Sequence, residues 1–472
     1  MRIFFHAGNA LQKTPTIMKT NTSITIGLLA GIHFLANAQV GTSNRPGVVD
    51  LTKLANYANQ SKPIYITRTN TPVANPITDA GATLGRVMFY DKRLSRNSAV
   101  SCASCHQQAN AFGDTATASI GVNGTTGRHS MRLVNAGFAT ESRFFWDERA
   151  ATLEAQTTQP VRDHTEMGFS GASGDPAFAD LVTRLTAIPE YRVLFAMTYG
   201  SATINETRIQ NALAQFVRSI QSFDSKYDVG RAQVPDNQNF PNFTNQENAG
   251  KALFLNPPGP GGGAGCAGCH APPEFAIDPN SRNNGVTASL SGGTDLTNTR
   301  SPSLRDMVGP NGKSNGGFMH HGGQATIADV INHYNLIPGD NISLDPRLRR
   351  PGGAVQNLNL TQMQKDQLAA FLRTLTGSNV YTDAKWSNPF TTNNQLSLII
   401  LPENATTMTK NPNNTLTLRC QVAPNLTYRM ESSSNLKDWS LVEQVAVGTT
   451  GLIERTVAIN GGTTFYRFTY TP

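Results

Sequence analysis

Apolar side chains recur at helical spacing in the first half of the chain. Leu84, Val87 and Met88 share one face of the segment 83–95, which predicts an amphipathic helix. A longer apolar stripe predicts a second helix over 205–223, and its members are Ile209, Leu213, Phe216, Val217 and Ile220. This part of the chain is therefore expected to be mainly helical, with long connecting loops.

The same pattern returns further along the chain. Thr244 and Glu247 have the spacing of a capping box, and apolar residues follow them on one face of the segment 244–254. Thr361 is the expected cap of another helix, over 361–376. The chain up to about residue 390 is thus predicted to contain at least four helices.

The pattern changes after about residue 390. Short runs rich in Thr, Val, Leu and Tyr alternate there with Asn, Gly and Pro turns, which predicts a small antiparallel β-sandwich over 396–472. This region contains no histidine, so we do not expect it to bind metal. Cys420 lies in the predicted strand LTLRC and is expected to be a buried apolar residue.

The N-terminal residues 1–38 predict a signal peptide. A lysine follows Met18, an apolar stretch runs from Ile24 to Leu35, and the small-residue sequence ANA then predicts a cleavage site. Residues 1–17 have little apolar character, so Met18 is a candidate for the true start. The apolar stretch is short for a membrane span. We therefore expect a periplasmic or otherwise exported protein, with no transmembrane segment in the mature chain.

Composition narrows the class of protein. The chain has 472 residues, of which 38% are hydrophobic and 15% charged, as expected for an ordered protein of two or three domains. Its formal net charge is +7, but the longest basic run is RLRR at 347–350 and no basic stripe alternates with aromatic residues. Nucleic acid is therefore not an expected partner.

Four of the five cysteines occur in two copies of the motif CxxCH, within SCASCH and GCAGCH. The residues of the two motifs are Cys102, Cys105, His106, Cys266, Cys269 and His270. A zinc site would have to join two motifs that are far apart in the sequence, and a redox dithiol would not need the histidine. Covalent haem attachment uses all three residues, because two thiols bond the haem vinyl groups and the imidazole ligates iron.

The motifs therefore predict two covalently bound haem c groups. His106 and His270 are the expected proximal iron ligands. A predicted amphipathic helix precedes each motif, which indicates an internal duplication of one small unit. The export signal agrees with this interpretation, because c-type haem is attached outside the cytoplasm.

The segment SRFFWDERAATLEAQTTQPVRDHTEMGF, 142–169, resembles the bacterial dihaem cytochrome c peroxidase family, which includes the MauG-like enzymes. The likeness covers about residues 45–390 and includes LGRVMFYDKRLS, TRSPSLRDM and GGFMHHGGQATIADVINHYN. It implies two cytochrome c-like, mainly α haem domains, followed by the β-sandwich. The domain at 45–240 would hold the peroxide-reacting haem, and the domain at 241–390 would hold the electron-transfer haem.

The resemblance also implies roles for individual residues. Trp146 would lie between the two haems, Gln156 and Glu166 would lie above the peroxide-reacting haem, and Pro160 would lie beside them. A carboxylate can accept and return the proton that peroxide cleavage moves, and an amide can orient the peroxide. Without the resemblance, Glu166 would be interpreted as a surface helix-capping acid and Trp146 as a core residue.

Tyr334 is the expected distal ligand of the second haem. It stands fourteen residues after His320, where the peroxidases carry methionine and MauG-like members carry tyrosine. A phenolate favours ferric iron more than a thioether does. Two alternatives stay open: Tyr334 only packs in its helix, or one of Met319, His321 and His333 is the ligand.

The chain departs from the family at two places. The GHxW segment, which gives many peroxidases a distal histidine, is missing from GVNGTTGRHSMRLVN, so the first haem is expected to be open without prior reduction. His129 stands where a family asparagine helps to bind a calcium ion between the haems. Asn315 and Gly317 could supply backbone carbonyls to such an ion, so both alternatives, with and without calcium, stay open. Arg300 aligns with a family arginine near the haems, with a propionate or surface ion pair as the alternative.

These features together predict a cytochrome-c peroxidase-like oxidoreductase. It would reduce hydrogen peroxide to water with electrons from a small redox protein, either a cytochrome c or a cupredoxin. The alternatives are a MauG-like oxidase that acts on a protein substrate and a dihaem electron carrier without peroxide chemistry. We expect the β-sandwich to serve binding or anchoring.

Overall fold

The structure is a computed structural model. The residues it describes are 5–7, 46–139, 143–259, 262–277, 280–401, 406–459 and 464–470. Apart from 5–7, the predicted signal peptide lies outside the described residues. Two compact units divide the described chain: a helical unit of residues 46–49 and 54–397, and a β unit of residues 5–7, 50–53 and those from 398 onward.

The α-helices all belong to the helical unit. They are α1 (Asp79–Tyr90), α2 (Cys102–Cys105), α3 (Leu153–Thr157), α4 (Gln159–Arg162), α5 (Phe178–Thr186), α6 (Pro189–Tyr199), α7 (Glu206–Ser219), α8 (Lys226–Arg231), α9 (Asn245–Leu255), α10 (Ile327–Asn335) and α11 (Gln362–Arg373). None of the helices in this part of the chain is long and apolar enough to cross a membrane.

The strands are short in the helical unit and longer in the β unit. They are β1 (Phe5–Ala7), β2 (Val48–Asp50), β3 (Ile120–Gly121), β4 (Gly124–Thr125), β5 (His270–Ala271), β6 (Ala276–Ile277), β7 (Ser397–Ile399), β8 (Thr406–Lys410), β9 (Thr415–Gln421), β10 (Thr427–Ser433), β11 (Ser440–Ala446), β12 (Leu452–Ala458) and β13 (Thr464–Tyr470). The fold is therefore mainly helical with a C-terminal β region, as the sequence predicted.

The four helices predicted from periodicity are present as α1, α7, α9 and α11. The capping boxes of Thr244 with Glu247 and of Thr361 with Gln364 are both formed. The helix predicted over 83–95 instead ends at Tyr90, because Asp91 adopts an extended conformation. The Asp91 side chain then accepts a hydrogen bond from the Arg93 N–H and begins a separate turn.

Helices α1 and α7 pack closely at Gly85. A β-carbon on Gly85 would collide with the carbonyl oxygen of Ala212, so only glycine permits this approach. Three aromatic rings pack beside the crossing: the Phe89 and Phe216 centroids are 5.1 Å apart, and Phe112 lies 5.9 Å from Phe89. This cluster forms the floor beneath the first CxxCH motif.

Helices α9 and α11 repeat this arrangement. A β-carbon on Gly250 would collide with the carbonyl oxygen of Gln367. The ring centroids of Phe254 and Phe371 are 5.2 Å apart, and Phe275 lies 5.6 Å from Phe254. The same contact thus occurs once for each CxxCH motif, between a helix that precedes the motif and a helix that follows it, as the predicted duplication requires.

The β unit contains two antiparallel sheets. One has the strand order β1-β13-β10-β11, and the other has the order β12-β9-β8. Burial alternates along β9, where Leu416, Leu418 and Cys420 face the interior. Cys420 is fully buried, which confirms the expectation that it serves as a small apolar residue.

Candidate active site

The first CxxCH motif lies at the edge of a large cavity. Cys102 and Cys105 begin and end the short helix α2, and both line a cavity of about 590 Å³ together with His106. The Nδ1 atom of His106 lies 3.2 Å from the carbonyl oxygen of Phe112. Because a carbonyl can only accept, Nδ1 carries the proton and the lone pair of Nε2 is left for a metal.

The second motif lines a cavity of its own. Cys266, Cys269 and His270 border a cavity of about 560 Å³, and His270 lies on β5, which pairs with β6. Burial lowers the pKa of His270 to about 4, so its imidazole is neutral at neutral pH. A neutral imidazole is the form that ligates iron.

The cysteines do not have the properties of a redox dithiol. None of the five cysteines forms a disulfide with another cysteine in the described part of the chain. Burial raises the pKa of Cys102 to about 12, that of Cys105 to about 11 and that of Cys266 to about 12, whereas reactive cysteines have lowered pKa values. Within the described residues, no group of three or more His, Cys, Asp or Glu side chains could hold a metal ion, which argues against zinc.

The residues that line both cavities suit a haem group. Each combines a CxxCH motif with largely apolar surroundings, such as Phe89, Leu213 and Val217 in the first. The first cavity also contains Arg132, whose buried Nε atom has no hydrogen-bond partner among the described residues. A buried donor of this kind needs an acceptor, which a haem propionate would provide.

The residues that the resemblance placed around the peroxide do meet in the first cavity. Gln156 on α3, Pro160 in α4, Glu166 in the following loop and Trp146 all line the same space as the first CxxCH motif. Arg300 lines this cavity as well. The structure therefore brings together a CxxCH motif, a carboxylate and an amide.

Glu166 has an environment suited to proton transfer. Burial raises the pKa of its carboxyl to about 7, and the charge of Asp163 adds to the rise while that of Arg149 opposes it. The Glu166 backbone N–H donates to the Asp163 carboxylate at 2.9 Å, which fixes the loop that carries both acids. Both protonation states of Glu166 are therefore populated near neutral pH.

Two supports outside this loop hold the cavity wall in place. Gly121 lies against Glu166, because a β-carbon on Gly121 would come within 2.8 Å of the Glu166 Cα, and Val122 N–H donates to the Glu166 carbonyl at 3.0 Å. Helix α3, which carries Gln156, is tied to α7 by an ion pair. Its Glu154 carboxylate accepts a hydrogen bond of 3.0 Å from Arg218.

Trp146 connects segments from both halves of the helical unit. Its indole Nε1–H donates to the His129 carbonyl at 2.7 Å, and its ring lies edge-on to His320 with centroids 6.5 Å apart. Its own carbonyl accepts hydrogen bonds from the backbone N–H groups of Thr299 and Arg300, at 2.9 and 3.1 Å. Trp146 is thus both a buried core residue and part of the cavity wall.

Tyr334 is the candidate distal ligand that lines the second cavity. Its hydroxyl oxygen accepts a hydrogen bond from the Asn284 side-chain amide at 3.3 Å. Burial raises the pKa of the Tyr334 phenol, whereas the hydrogen bond from Asn284 lowers it. Of the rival ligands, His333 contacts the Asn284 carbonyl at 2.8 Å and Met319 accepts from the Asn284 amide at 3.1 Å.

Three contributors to the site were missed from the sequence. Asp163 lies in the segment PVRDHTEMG, three residues before Glu166. A second acid so close to Glu166 was a signal in the sequence that the two carboxylates interact. Gly121 ends the short strand β3 and Asn284 lies in a loop, and both are far in sequence from the residues they support. No periodicity or motif marks either of them. Only the folded chain shows their contacts.

Comparison with known proteins agrees with this geometry. A family model described as di-haem cytochrome c peroxidase matches residues 79–233. The chain is 30% identical over 317 residues to the methylamine utilization protein MauG of Methylophilus methylotrophus, covering 65% of this chain and 85% of that protein. It is 28% identical over 347 residues to the cytochrome-c peroxidase IdrP1 of Denitromonas iodatirespirans, covering 64% and 83%.

Solved structures show the same likeness. A MauG-like protein associated with microbial copper homeostasis is 29% identical, with a TM-score of 0.55, and the match covers 70% of this chain and 99% of that one. The diheme peroxidase BthA from Burkholderia thailandensis E264 is 21% identical, with a TM-score of 0.50 and coverage of 66% and 91%. The second likeness concerns the fold alone.

Proposed function

Because the chain belongs to the dihaem cytochrome c peroxidase and MauG family of peroxidase-type oxidoreductases, we propose that it reduces hydrogen peroxide to water at the first cavity. The observation that carries this proposal is the position of Glu166 and Gln156, which line the same cavity as the Cys102–His106 motif. A pure electron carrier needs no acid and amide beside its metal site.

The family implies two haems, and this chain offers a covalent site for each. Cys102 and Cys105 would bond the first haem, with His106 as its proximal ligand. The second haem would be held by Cys266, Cys269, His270 and Tyr334. Bound haem iron supplies a Lewis-acidic centre for peroxide and a store of oxidising equivalents.

Glu166 would move the proton that the reaction requires. One oxygen of hydrogen peroxide has to lose a proton and the other has to gain one before water can leave. A carboxyl group with a pKa of about 7 can accept the proton and return it at neutral pH. Gln156 lines the same wall, and its side-chain amide would orient the peroxide.

Trp146 would carry electrons between the two cavities. Its ring contacts His320, its indole N–H is bonded to the His129 carbonyl, and its face borders the first cavity. These contacts hold the ring rigidly between the two halves of the helical unit. A rigid, buried aromatic ring needs little rearrangement when it gains or loses an electron.

Tyr334 would be the distal ligand of the second haem, as in MauG-like members of the family. A metal ion displaces the proton of an acidic ligand, and the amide N–H of Asn284 would then stabilise the phenolate oxygen. An anionic oxygen ligand favours ferric iron. This ligand is the feature that favours a second candidate function, MauG-like oxidation of a protein substrate.

The remaining assignments concern place and partners. We propose export to the periplasm, with 45–240 and 241–390 as the two cytochrome c-like domains. The electron donor would be a small cytochrome c or a cupredoxin, unless a protein substrate takes its place. The two sheets of the β unit would serve binding or anchoring.

Electron paramagnetic resonance of the diferric protein tests this proposal. One high-spin and one low-spin signal are expected, because His106 would be the one iron ligand in the first cavity, whereas the second cavity offers both His270 and Tyr334. Two low-spin signals would favour the electron carrier.

A further inference from the structure

Arg132 is a half-buried cation without a counter-ion in the described part of the chain. Its guanidinium lines the first cavity, and its Nη2 donates to the Ser303 carbonyl at 3.3 Å. Its buried Nε has no hydrogen-bond partner. Burial lowers the pKa of Arg132, and the charge of Asp306 acts in the opposite direction without forming an ion pair with it.

His129 binds two backbone carbonyls in the same region. Its Nδ1 lies 3.0 Å from the Ala116 carbonyl oxygen and 3.2 Å from that of Thr117. Because both oxygens can only accept, Nδ1 carries a proton that is shared between them. The imidazole therefore binds both carbonyl oxygens and holds them close together.

The imidazole of His129 fills the space between two loops. A β-carbon on Gly322 would lie 3.2 Å from the His129 ring, and one on Gly316 would lie 3.3 Å from its Nε2 and would collide with the Asp114 carbonyl. The loop that carries Asp114, Ala116 and Thr117 thus meets the loop of residues 316–322 across this ring. The ring leaves little room for an ion with a shell of oxygen ligands.

The Arg132 side chain lies beside the same two loops. A β-carbon on Gly113 would lie 2.8 Å from the Arg132 Cγ and 3.1 Å from the Asn315 carbonyl oxygen. That carbonyl is one of the two expected calcium contacts, so the Arg132 side chain passes beside it. The charge of Arg132 also lowers the pKa of His129, after burial as the main cause, which shows that the two groups interact.

These residues do not match the preferences of calcium. Calcium takes about six to eight oxygen ligands in proteins, and carboxylates are usually among them. An imidazole N–H and a guanidinium are both hydrogen-bond donors and repel a cation. No cluster of three or more His, Cys, Asp or Glu side chains in the described chain offers a substitute.

We propose that this chain binds no calcium between its haems, and that His129 and Arg132 replace the ion. The His129 imidazole binds the two carbonyl oxygens. Arg132 supplies the positive charge and pairs with a propionate of the first haem. The inference rests on the proposed dihaem site. The inference is tested by metal content, stability and redox potential rather than by activity. A failed inference is therefore compatible with an observed peroxide reaction, and a failed peroxide reaction is compatible with a correct inference.

The first test uses the wild-type holoprotein. Calcium is measured by inductively coupled plasma mass spectrometry after purification in calcium-containing buffer, and thermal unfolding is followed with and without excess EGTA. We expect substoichiometric calcium and an unchanged Tm. One calcium ion per chain whose removal by EGTA lowers the Tm would overturn the proposal.

The second test addresses Arg132 through the midpoint potential of the first haem. A nearby positive charge disfavours the ferric state, so Arg132→Gln is expected to lower this potential, and Arg132→Lys is expected to restore most of it. Arg373→Gln, on the exposed end of α11, is the matched control and should leave it unchanged. An unchanged potential in Arg132→Gln would contradict the assigned pairing.

The third test addresses His129 through stability. His129→Asn shortens the side chain that reaches the Ala116 and Thr117 carbonyls, so the Tm of the holoprotein should fall. Arg373→Asn changes an exposed side chain at the end of α11 and should change the Tm much less. A His129→Asn variant as stable as the wild type would show that the imidazole does not hold the two loops together.

Discussion

The α-carbon of Gly121 lies against the backbone of Glu166, so that a β-carbon on Gly121 would come within 2.8 Å of the Glu166 Cα. The hairpin of β3 and β4 therefore sets the position of the carboxylate that faces the first cavity. The contact joins residues that are distant in sequence. Gly121 has no reactive group of its own, but this contact makes it important for the proposed chemistry.

Gly121→Ala should slow the reaction with peroxide without preventing haem attachment. The added methyl group would collide with the Thr165 carbonyl oxygen and crowd the Glu166 Cα, so the segment that carries the carboxylate has to move. A displacement of about 1 Å at a reacting group can cost about 10²-fold in rate. Stopped-flow mixing of the diferric protein with hydrogen peroxide measures the effect. Gly339→Ala is the control, because a β-carbon there meets no atom within 4 Å. Equal rates for Gly121→Ala and the wild type would contradict the proposed support.

Glu166→Gln tests the proton transfer itself. Glutamine keeps the shape of the side chain but cannot accept a proton, so the rate should fall by about 10² to 10⁴-fold. Glu190→Gln, in the first turn of α6 and outside the cavity, should react like the wild type. If Glu166→Gln reacts as fast as its control, another group moves the proton.

The rate should also depend on pH in a defined direction. The pKa of Glu166 is raised to about 7, mainly by burial, so the carboxylate that accepts the peroxide proton accumulates as the pH rises through neutrality. The rate constant should therefore rise with pH across this range in the wild type and stay flat in Glu166→Gln. A profile that is the same in both proteins would assign the titration to a different group.

Local features of the sequence were enough to predict the helices and the haem motifs. The capping boxes at Thr244 and Thr361 and the CxxCH spacing involve neighbours in the chain, and the structure contains them where they were expected. The C-terminal strands also followed from local alternation. The end of α1 was misplaced, because the hydrogen bond from the Arg93 N–H to the Asp91 side chain outweighs the continuing apolar pattern.

The candidate site depended on the family resemblance and on the fold. Periodicity does not distinguish Glu166 from a surface acid, and its pKa of about 7 arises from burial that only the folded chain provides. Asn284 and Gly121 act through contacts with Tyr334 and Glu166 that are remote in sequence. Such contacts have no signature in a single sequence.

Tyr334→Phe should alter the second haem and not the first. Loss of the anionic oxygen ligand removes a preference for ferric iron, so the midpoint potential of the low-spin haem should rise and its low-spin signal should change. Spectroelectrochemistry resolves the two haems. Tyr199→Phe, a change to a tyrosine bonded to the Arg208 carbonyl on α7, is the control. An unaltered low-spin haem in Tyr334→Phe would mean that another residue is the ligand.

Gly85→Ala and Gly250→Ala should each destabilise the helical unit. Both β-carbons would collide with a backbone carbonyl, of Ala212 and Gln367 respectively, and overpacking of this kind costs about 1–3 kcal/mol in free energy of unfolding. Chemical unfolding followed by circular dichroism measures the loss. Because the two glycines occupy equivalent places in the repeat, similar losses are expected. Wild-type stability in both variants would be incompatible with the close helix crossings.

Rapid mixing of the wild-type diferric holoprotein with one equivalent of hydrogen peroxide tests most directly the claim that peroxide reacts in the first cavity. The account predicts fast consumption of the peroxide and a change in the absorption of the high-spin haem, followed by a change at the low-spin haem. Absorption spectra that stay unchanged while the peroxide persists would contradict it.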